Sequence, residues 1–366
     1  MTLHIFNPEH DIALASGLAN FTAPHAGRQL RHDLGFLPAI WAQAEDVVMV
    51  DDVEQAQRCL RRIGHRVRDF LGKTEKHSFR EEGEKYAVFM GRNEKLGAIQ
   101  KVDPWGWNSA LRAVLLRRGI SEKLMPTLAQ LEVIRQLSHR REAAALLPKL
   151  RLEGTVGEAF ECHSLEQMEA LLKKYGQLVL KAPWSSSGRG LRFVSTANDI
   201  HRSKYITGWF QNIVQAQGCV MAEPYYNKVK DFGMEFHSDG KGHVSFLGLS
   251  LFHTANGAYT GNILATEQTK REMISRYIPV DLLDIIQEKI CQELGNAYNG
   301  KYQGPFGVDM MVVGGTSFQL HPCVEINLRR TMGHVALALS PNDDDLHHVM
   351  RIEYAENSYQ LKIERL

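Results

Sequence analysis

The chain lacks paired cysteines, long apolar runs and any excess of one charge. Its cysteines, Cys59, Cys162, Cys219, Cys291 and Cys323, are odd in number, far apart and free of any CxxC pair. That pattern excludes a disulfide framework and a thiolate zinc site, and predicts reduced, mostly buried thiols in a cytoplasmic protein. No uninterrupted apolar stretch reaches the roughly 18 residues of a membrane-spanning helix. The opening residues, Met1-Thr2-Leu3-His4-Ile5-Phe6-Asn7-Pro8, offer neither a charged lead nor a long apolar core, so no secretory signal is expected. Lys and Arg total 43 against 42 Asp and Glu, a net charge of +1. A general nucleic-acid or membrane-surface binder carries a basic excess that this chain does not have, although a local anion site is compatible with it. Neither an internal repeat nor a low-complexity segment occurs. What is present is ordinary globular composition, 44% hydrophobic and 23% charged over 366 residues. That excludes disorder over most of the length and predicts two or three domains.

The apolar pattern predicts a small parallel α/β unit first. Leu3-His4-Ile5-Phe6 reads as a strand ending in a polar turn, Asn7-Pro8-Glu9-His10-Asp11. A helix opens near Thr22-Ala23-Pro24 and closes at Gly35. Val47 to Val50 reads as a buried strand, and Val53 to Ile63 as a helix ending before Gly64. Residues 72–95 are polar and glycine-containing and read as an irregular excursion. Asn108 is placed to cap a helix running to Arg118. The pattern then changes near 120–126. Two helices follow, Thr127 to Leu137 and Arg140 to Leu147. Leu178 to Lys181 reads as a strand running into a Ser/Gly loop and returning at Leu191. Later strands are expected at Cys219 to Ala222, Phe232 to His237 and Val244 to Leu251. A long helix is expected at Asp281 to Tyr298, and a hairpin at Gly307 to Val313 with Phe318 to Ile326.

Three groups of residues carry candidate chemistry. The first is Lys181 followed by Ser185-Ser186-Ser187-Gly188-Arg189-Gly190. Small residues let backbone N–H groups approach anionic oxygens, serines add donors, and Lys181 and Arg189 supply charge. A flap over nucleotide phosphates fits, as does a plain hairpin of turn formers. The second is Asp309 with Glu325 and Asn327. Glu325 and Asn327 stand two apart on a strand and share a face, and the hairpin brings Asp309 alongside. Two carboxylates and a carboxamide suit Mg²⁺. Apolar flanks argue against two solvated acids, because burying unpaired carboxylates is costly. Arg329 continues the alternation and suits a phosphate or carboxylate clamp, or a surface ion pair. The third is Val220 to Tyr226 with Glu223 at a bend, followed by Asp231. This arrangement suits an adenine and its ribose, or simply a strand ending at a proline.

Taken together and in this order, these segments resemble the ATP-grasp superfamily over roughly residues 125–335. Asp309 followed by Glu325-Ile326-Asn327-Leu328-Arg329 is similar to the biotin carboxylase branch. The resemblance implies mixed α/β and α+β architecture, with a pre-ATP-grasp α/β domain at 1–124 and a two-subdomain ATP-grasp fold at 125–340. Subdomain A would span about 125–222 and subdomain B about 223–340, with a C-terminal tail, 341–366, packed on the core. It also implies residue roles. Lys181, Ser185, Ser186, Ser187, Gly188 and Arg189 would meet the phosphates of ATP. Arg140 stands where many relatives carry a second phosphate-binding lysine. Glu223, Pro224 and Tyr225 would receive adenine, and Asp231 the ribose. Asp309, Glu325 and Asn327 would hold one or two Mg²⁺ ions, with Mn²⁺ as a substitute.

The implied reaction activates a small-molecule or peptide carboxylate as an acyl phosphate, releases ADP, and transfers the acyl group to an amine. Lys181 and Arg329 would be the catalytic cations. D-alanine–D-alanine ligases carry an arginine two residues before the first metal acid, where this chain has Gly307, so Arg329 or Arg330 is expected to stabilise the acyl phosphate. An ATP-grasp kinase-like phosphotransferase and a non-catalytic nucleotide-binding protein are the alternatives. His10, Asp11 and Arg28 follow the first strand or sit early in the next helix, at the carboxyl edge of an α/β sheet where ligands bind, and are candidate substrate contacts alongside Arg330. Gly257 to Asn262 and Thr331-Met332-Gly333 are further pocket candidates. No nucleic acid or membrane partner is expected, and a homodimer is compatible with the sequence. The run Arg58, Arg61, Arg62, Arg66 and Arg68 reads as a solvated helix face.

Overall fold

The computed structural model describes residues 1–71, 87–92, 94, 98–185, 190–196, 204–255, 258–344 and 347–366. Ser186, Ser187, Gly188 and Arg189 lie outside them, as does most of 72–95. Among the described residues no helix is long and apolar enough to cross a membrane.

The N-terminal sheet has strands β1 (Thr2–Ile5), β2 (Val47–Val50), β3 (Val88–Gly91) and β4 (Lys101–Pro104), in the order β3-β2-β1-β4. The pairings are parallel, and Val47 to Val50 are all buried. Parallel strands covered on both faces select such continuous apolar runs. Helix α1 (His10–Ser16) begins directly after β1, where the polar residues suggested only a turn. Helix α2 (His25–Leu34) starts behind Pro24 as expected. Helix α3 (Val53–Leu71) passes through Gly64 instead of ending before it. A helical glycine costs only about 1 kcal/mol relative to alanine, and the buried stripe Ala56, Leu60 and Ile63 outweighs it. Helix α4 (Ser109–Arg117) is capped by Asn108, whose Oδ1 accepts from the Leu111 N–H at 2.9 Å.

Helices α5 (Leu128–Leu137) and α6 (Arg141–Leu146) lead into an antiparallel sheet of order β5-β8-β6-β7. Its strands are β5 (Phe160–Cys162), β6 (Leu178–Lys181), β7 (Leu191–Val194) and β8 (Val220–Pro224). Helices α7 (Leu165–Tyr175) and α8 (Lys204–Gln217) bury Met168, Leu172, Ile206 and Phe210 against it. The next sheet, β10-β9-β13-β14, contains β9 (Lys228–Ser238), β10 (Val244–Ser250), β13 (Gly304–Val313) and β14 (Gln319–Asn327). One face of it packs Phe232, Met234, Phe306, Val308 and Met310 into a core shared with Ile286 and Ile290 of the helix Val280–Tyr298.

The segment expected as a tail on the core is strand-forming from His348 onward. Strands β15 (His348–Ala355) and β16 (Ser358–Arg365) form a hairpin, which joins β11 (Phe252–Ala255) and β12 (Ala258–Leu264) in the sheet β11-β12-β15-β16. Its tight turn is Glu356-Asn357, both with positive φ, 53° and 61°. Met350, Leu361 and Ile363 lie in one apolar cluster with Phe6, Phe36 and Val48 of the N-terminal unit. The five cysteines are free, and Cys162, Cys219 and Cys323 are buried.

Candidate active site

The β13–β14 register sets the centre of the site. Gly307 pairs with Asn327, Val308 with Ile326 and Asp309 with Glu325. Because side chains alternate, Val308 and Ile326 enter the core while Asp309, Glu325 and Asn327 share the opposite face. Opposed like charges on neighbouring strands repel. Burial, then Glu325, then Glu235 push the Asp309 carboxyl up to about 8. Asn327 Nδ2 donates to Asp309 Oδ2 at 3.0 Å. Among the described residues no group of three His, Cys, Asp or Glu side chains converges as a self-sufficient metal site. Two carboxylates and an amide instead match a cation such as Mg²⁺, which takes its remaining oxygens from phosphate and water.

The second part of the site comes from β6. Lys181 ends that strand, and its Nζ lies 2.6 Å from Glu223 Oε2, with both side chains buried. Arg140, at the N-terminus of α6, reaches across. Its guanidinium donates to the Ala182 carbonyl at 2.5 Å, to Ser185 Oγ at 2.8 Å and to Glu325 Oε1 at 2.7 Å. One arginine therefore joins the start of the Ser/Gly loop to an acid of the candidate metal set. At the ends of β6 and β7 the Ala182 N–H donates to the Gly190 carbonyl at 2.9 Å. At the bend after β8 the Tyr225 N–H donates to the Gln177 carbonyl, and the Tyr225 side chain is exposed. Asp231 pairs in register with Met311, and its Oδ2 accepts from Lys228 Nζ and Thr254 Oγ1, both at 2.6 Å.

The strand stops at Asn327, yet Arg329 still turns back to it. Arg329 donates to Asn327 Oδ1 at 3.1 Å and forms a two-armed pair with Asp11, with contacts from 2.7 to 3.1 Å. Burial works against the Arg329 charge, but Asp11 prevails and raises its pKa. Burial alone would raise Asp11, and Arg329 holds it below the usual carboxylate value. Arg330 turns to the N-terminal sheet, donating to Asp103 Oδ2 at 2.8 Å and lying over the Trp41 ring. His10 is buried beside Asn108, with its Nδ1 3.1 Å from Asn108 Nδ2, and burial lowers its pKa to about 4. Arg28 donates to the Ala23 carbonyl at the start of its own helix and joins none of these groups.

Glu235 was not singled out in the sequence. It pairs with Gly307 on the face that carries Asp309, is buried, and lies 2.9 Å from His334 Nδ1. A Cβ on Gly307 or Gly333 would collide with its carboxylate. The signal was available. Phe232, Met234 and Phe236 alternate as core residues, which puts residues 231, 233 and 235 on the other face.

No family model matches the chain, and no curated protein matches it. Solved structures do. N5-carboxyaminoimidazole synthetase from Staphylococcus aureus, complexed with ADP, aligns over 97% of this chain and 83% of its own, with a TM-score of 0.50 and 12% identity. The chain has the ATP-grasp fold. More distant matches include biotin carboxylase from Campylobacter jejuni, at TM-score 0.45 and 15% identity over 69% of this chain and 59% of that one. Carboxyaminoimidazole ribonucleotide synthase from Aspergillus clavatus, complexed with ATP, aligns at TM-score 0.42 and 14% identity over 84% of this chain and 82% of that one. Arg140 reaches from Ser185, beside the antiparallel sheet β5-β8-β6-β7, to Glu325 of the antiparallel sheet β10-β9-β13-β14.

Proposed function

We propose that the protein is an ATP-dependent ligase that activates a carboxylate as an acyl phosphate and joins it to an amine. The observation that carries this reading is the Arg140 bridge, which links Ser185 and the Ala182 carbonyl to Glu325, opposite Asp309. A cation at that junction is suited to a triphosphate tail lying between a phosphate loop and a metal set. The S. aureus synthetase with this fold was solved with ADP, which is consistent with nucleotide in the same cleft.

In this reading residues 125–222 and 223–340 enclose ATP, and residues 1–124 help to carry the substrate. Asp309, Glu325 and Asn327 would hold Mg²⁺, which when bound supplies positive charge against the phosphates. Lys181 and Arg140 exchange their carboxylate partners for phosphate oxygens, and Glu223, released from Lys181, accepts from the base amino group. The substrate carboxylate oxygen attacks the γ-phosphorus, the bond to the β-phosphate oxygen breaks, and ADP leaves. The amine nitrogen then attacks the acyl carbon, and phosphate departs with the oxygen of the broken C–O bond. Positioning and charge dispersal suffice for the phosphoryl step, so no serine or cysteine nucleophile is required. The free thiols fit a reducing, cytoplasmic setting.

The test is ADP release with Mg²⁺ across paired panels of carboxylates and amines. Release that needs both partners is expected. Release with a single acceptor, leaving a stable phosphorylated product, would convert the reading to a kinase, and no release with any pair would remove the enzymatic reading.

A further inference from the structure

Each member of the candidate metal set already has a donor on it. Glu325 Oε1 accepts from a terminal nitrogen of Arg140 at 2.7 Å. Asp309 Oδ2 accepts from Asn327 Nδ2 at 3.0 Å, and Asn327 Oδ1 accepts from Arg329 at 3.1 Å. As it stands, the Asn327 amide turns its nitrogen, not its oxygen, toward Asp309. A divalent ion binds through oxygen lone pairs, so these three oxygens are withheld from one until the donors move. Arg140 can move without losing its place. Its other terminal nitrogen holds the Ala182 carbonyl and Ser185 Oγ, so giving up Glu325 leaves it anchored at the end of β6. Its Nε–H is buried without a partner among the described residues. Such donors are uncommon in folded proteins, and a phosphate oxygen would satisfy this one.

We propose that Arg140 is an internal stand-in for the divalent ion: it occupies Glu325 in the unloaded protein, and nucleotide phosphates draw it away before Glu325 takes part in metal binding. This rests on the reading of Asp309, Glu325 and Asn327 as the metal set and of the cleft as a nucleotide site. The consequence is an order of binding. A metal ion offered alone must break a hydrogen bond between two opposite charges. Phosphates instead give the guanidinium a new partner and release Glu325. By linkage the effect is reciprocal, so that freeing Arg140 from Glu325 favours nucleotide. A cleft merely rich in positive charge would also repel a metal ion, but then any of its cations would serve equally. Lys181 separates the two cases, because it pairs with Glu223 at 2.6 Å and, among the described residues, touches none of the metal set.

The experiment is calorimetric binding of Mn²⁺ alone to the full-length protein, beside Mn²⁺ with the non-hydrolysable analogue AMPPNP and AMPPNP alone in EDTA. The wild type is expected to take up Mn²⁺·AMPPNP well and Mn²⁺ alone weakly. Arg140→Gln is expected to strengthen Mn²⁺ alone roughly 10–100-fold, the order of one hydrogen bond between charged groups, and to weaken AMPPNP in EDTA. Lys181→Gln should leave Mn²⁺ alone little changed. If Arg140→Gln does not fold, Glu325→Gln tests the same contact from the other side. With Arg140 already released, AMPPNP in EDTA should then bind roughly tenfold more tightly. Four outcomes overturn the proposal: Mn²⁺ alone unchanged by Arg140→Gln, equal strengthening by Lys181→Gln, unchanged metal-free AMPPNP binding in Glu325→Gln, or a wild type that binds Mn²⁺ as tightly without AMPPNP as with it. A wild type that takes up no Mn²⁺·AMPPNP fails earlier, at the proposed function, and is told apart by that.

Discussion

Lys181 and Glu223 form a buried pair whose members have separate tasks in the proposed reaction, so folding and binding can be separated there. Removing one member leaves a charge without a partner in a place that water does not reach. Lys181→Met is therefore expected to cost about 3–5 kcal/mol of stability, read by urea unfolding. Adding Glu223→Leu should restore most of it, because two apolar side chains of similar volume can replace a buried pair at little cost. Nucleotide binding should stay lost in the double variant. Recovered binding would mean that neither residue meets ATP. Glu325→Ala is different. Its side chain is about a quarter exposed, and Arg140 keeps the Ala182 carbonyl and Ser185 as partners. The fold should tolerate that change while ADP release in the paired screen disappears. A variant with normal turnover would cancel the metal assignment. Some of this was legible from residue types alone. Asp309, Glu325 and Asn327 stood out because acids and an amide interrupt apolar strands. The partner of Arg329 carried no local signal, since nothing in a sequence links positions 11 and 329.

At the scale of elements, period-two alternation was the dependable guide. It places the β13–β14 hairpin, and with it the facing of Asp309 and Glu325. The β15–β16 hairpin escaped because its turn uses Glu356 and Asn357 at positive φ, where the common signal is a glycine. Helix α1 escaped because seven residues are too few for a clear apolar period, and its packing against α4 is a tertiary matter. The same geometry explains two glycines that would otherwise pass as ordinary. Gly307 and Gly333 approach the Glu235 carboxylate so closely that any Cβ would overlap it. Gly333→Ala is expected to destabilise by about 1–3 kcal/mol, as for overpacking a filled interior. Glu235→Ala combined with Gly333→Ala should recover part of that loss in urea unfolding. No recovery would place the origin of the glycine elsewhere.

Among the described residues, three histidines in different parts of the fold are held neutral most strongly by burial, and His237, His253 and His348 are lowered in the same direction. His10 lies at α1, His139 between α5 and α6, and His321 on β14, all essentially inaccessible. Burial, reinforced by nearby arginine or lysine, lowers His10 to about 4 and His139 and His321 to about 3. In the unfolded chain each takes up a proton near 6.5. Between 6.5 and about 4 the unfolded state therefore binds more protons than the folded one, so stability rises with pH across that window and is lost as pH falls through it. Each histidine contributes a slope of up to about 1.4 kcal/mol per pH unit. Carboxylates such as Asp103, held near 2 by His4 and Arg330 against the effect of burial, add their loss only at lower pH. Asp309 acts with the opposite sign: burial and Glu325 keep it protonated up to about 8 in the folded chain, while it ionises above about 4 in the unfolded one, so it offsets one histidine across this window, and the melting temperature should fall from pH 6.5 downward by the remainder. His321 allows the cleanest test, because among the described residues neither ring nitrogen bonds a side chain or another residue, and Tyr226 packs edge-on against the ring. His321→Phe removes one titrating group without removing a hydrogen bond. It should make the decline between pH 6.5 and 4 shallower and leave the melting temperature at pH 8 little changed. A variant whose decline parallels the wild type would show that His321 takes up its proton in the folded protein as readily as in the unfolded chain.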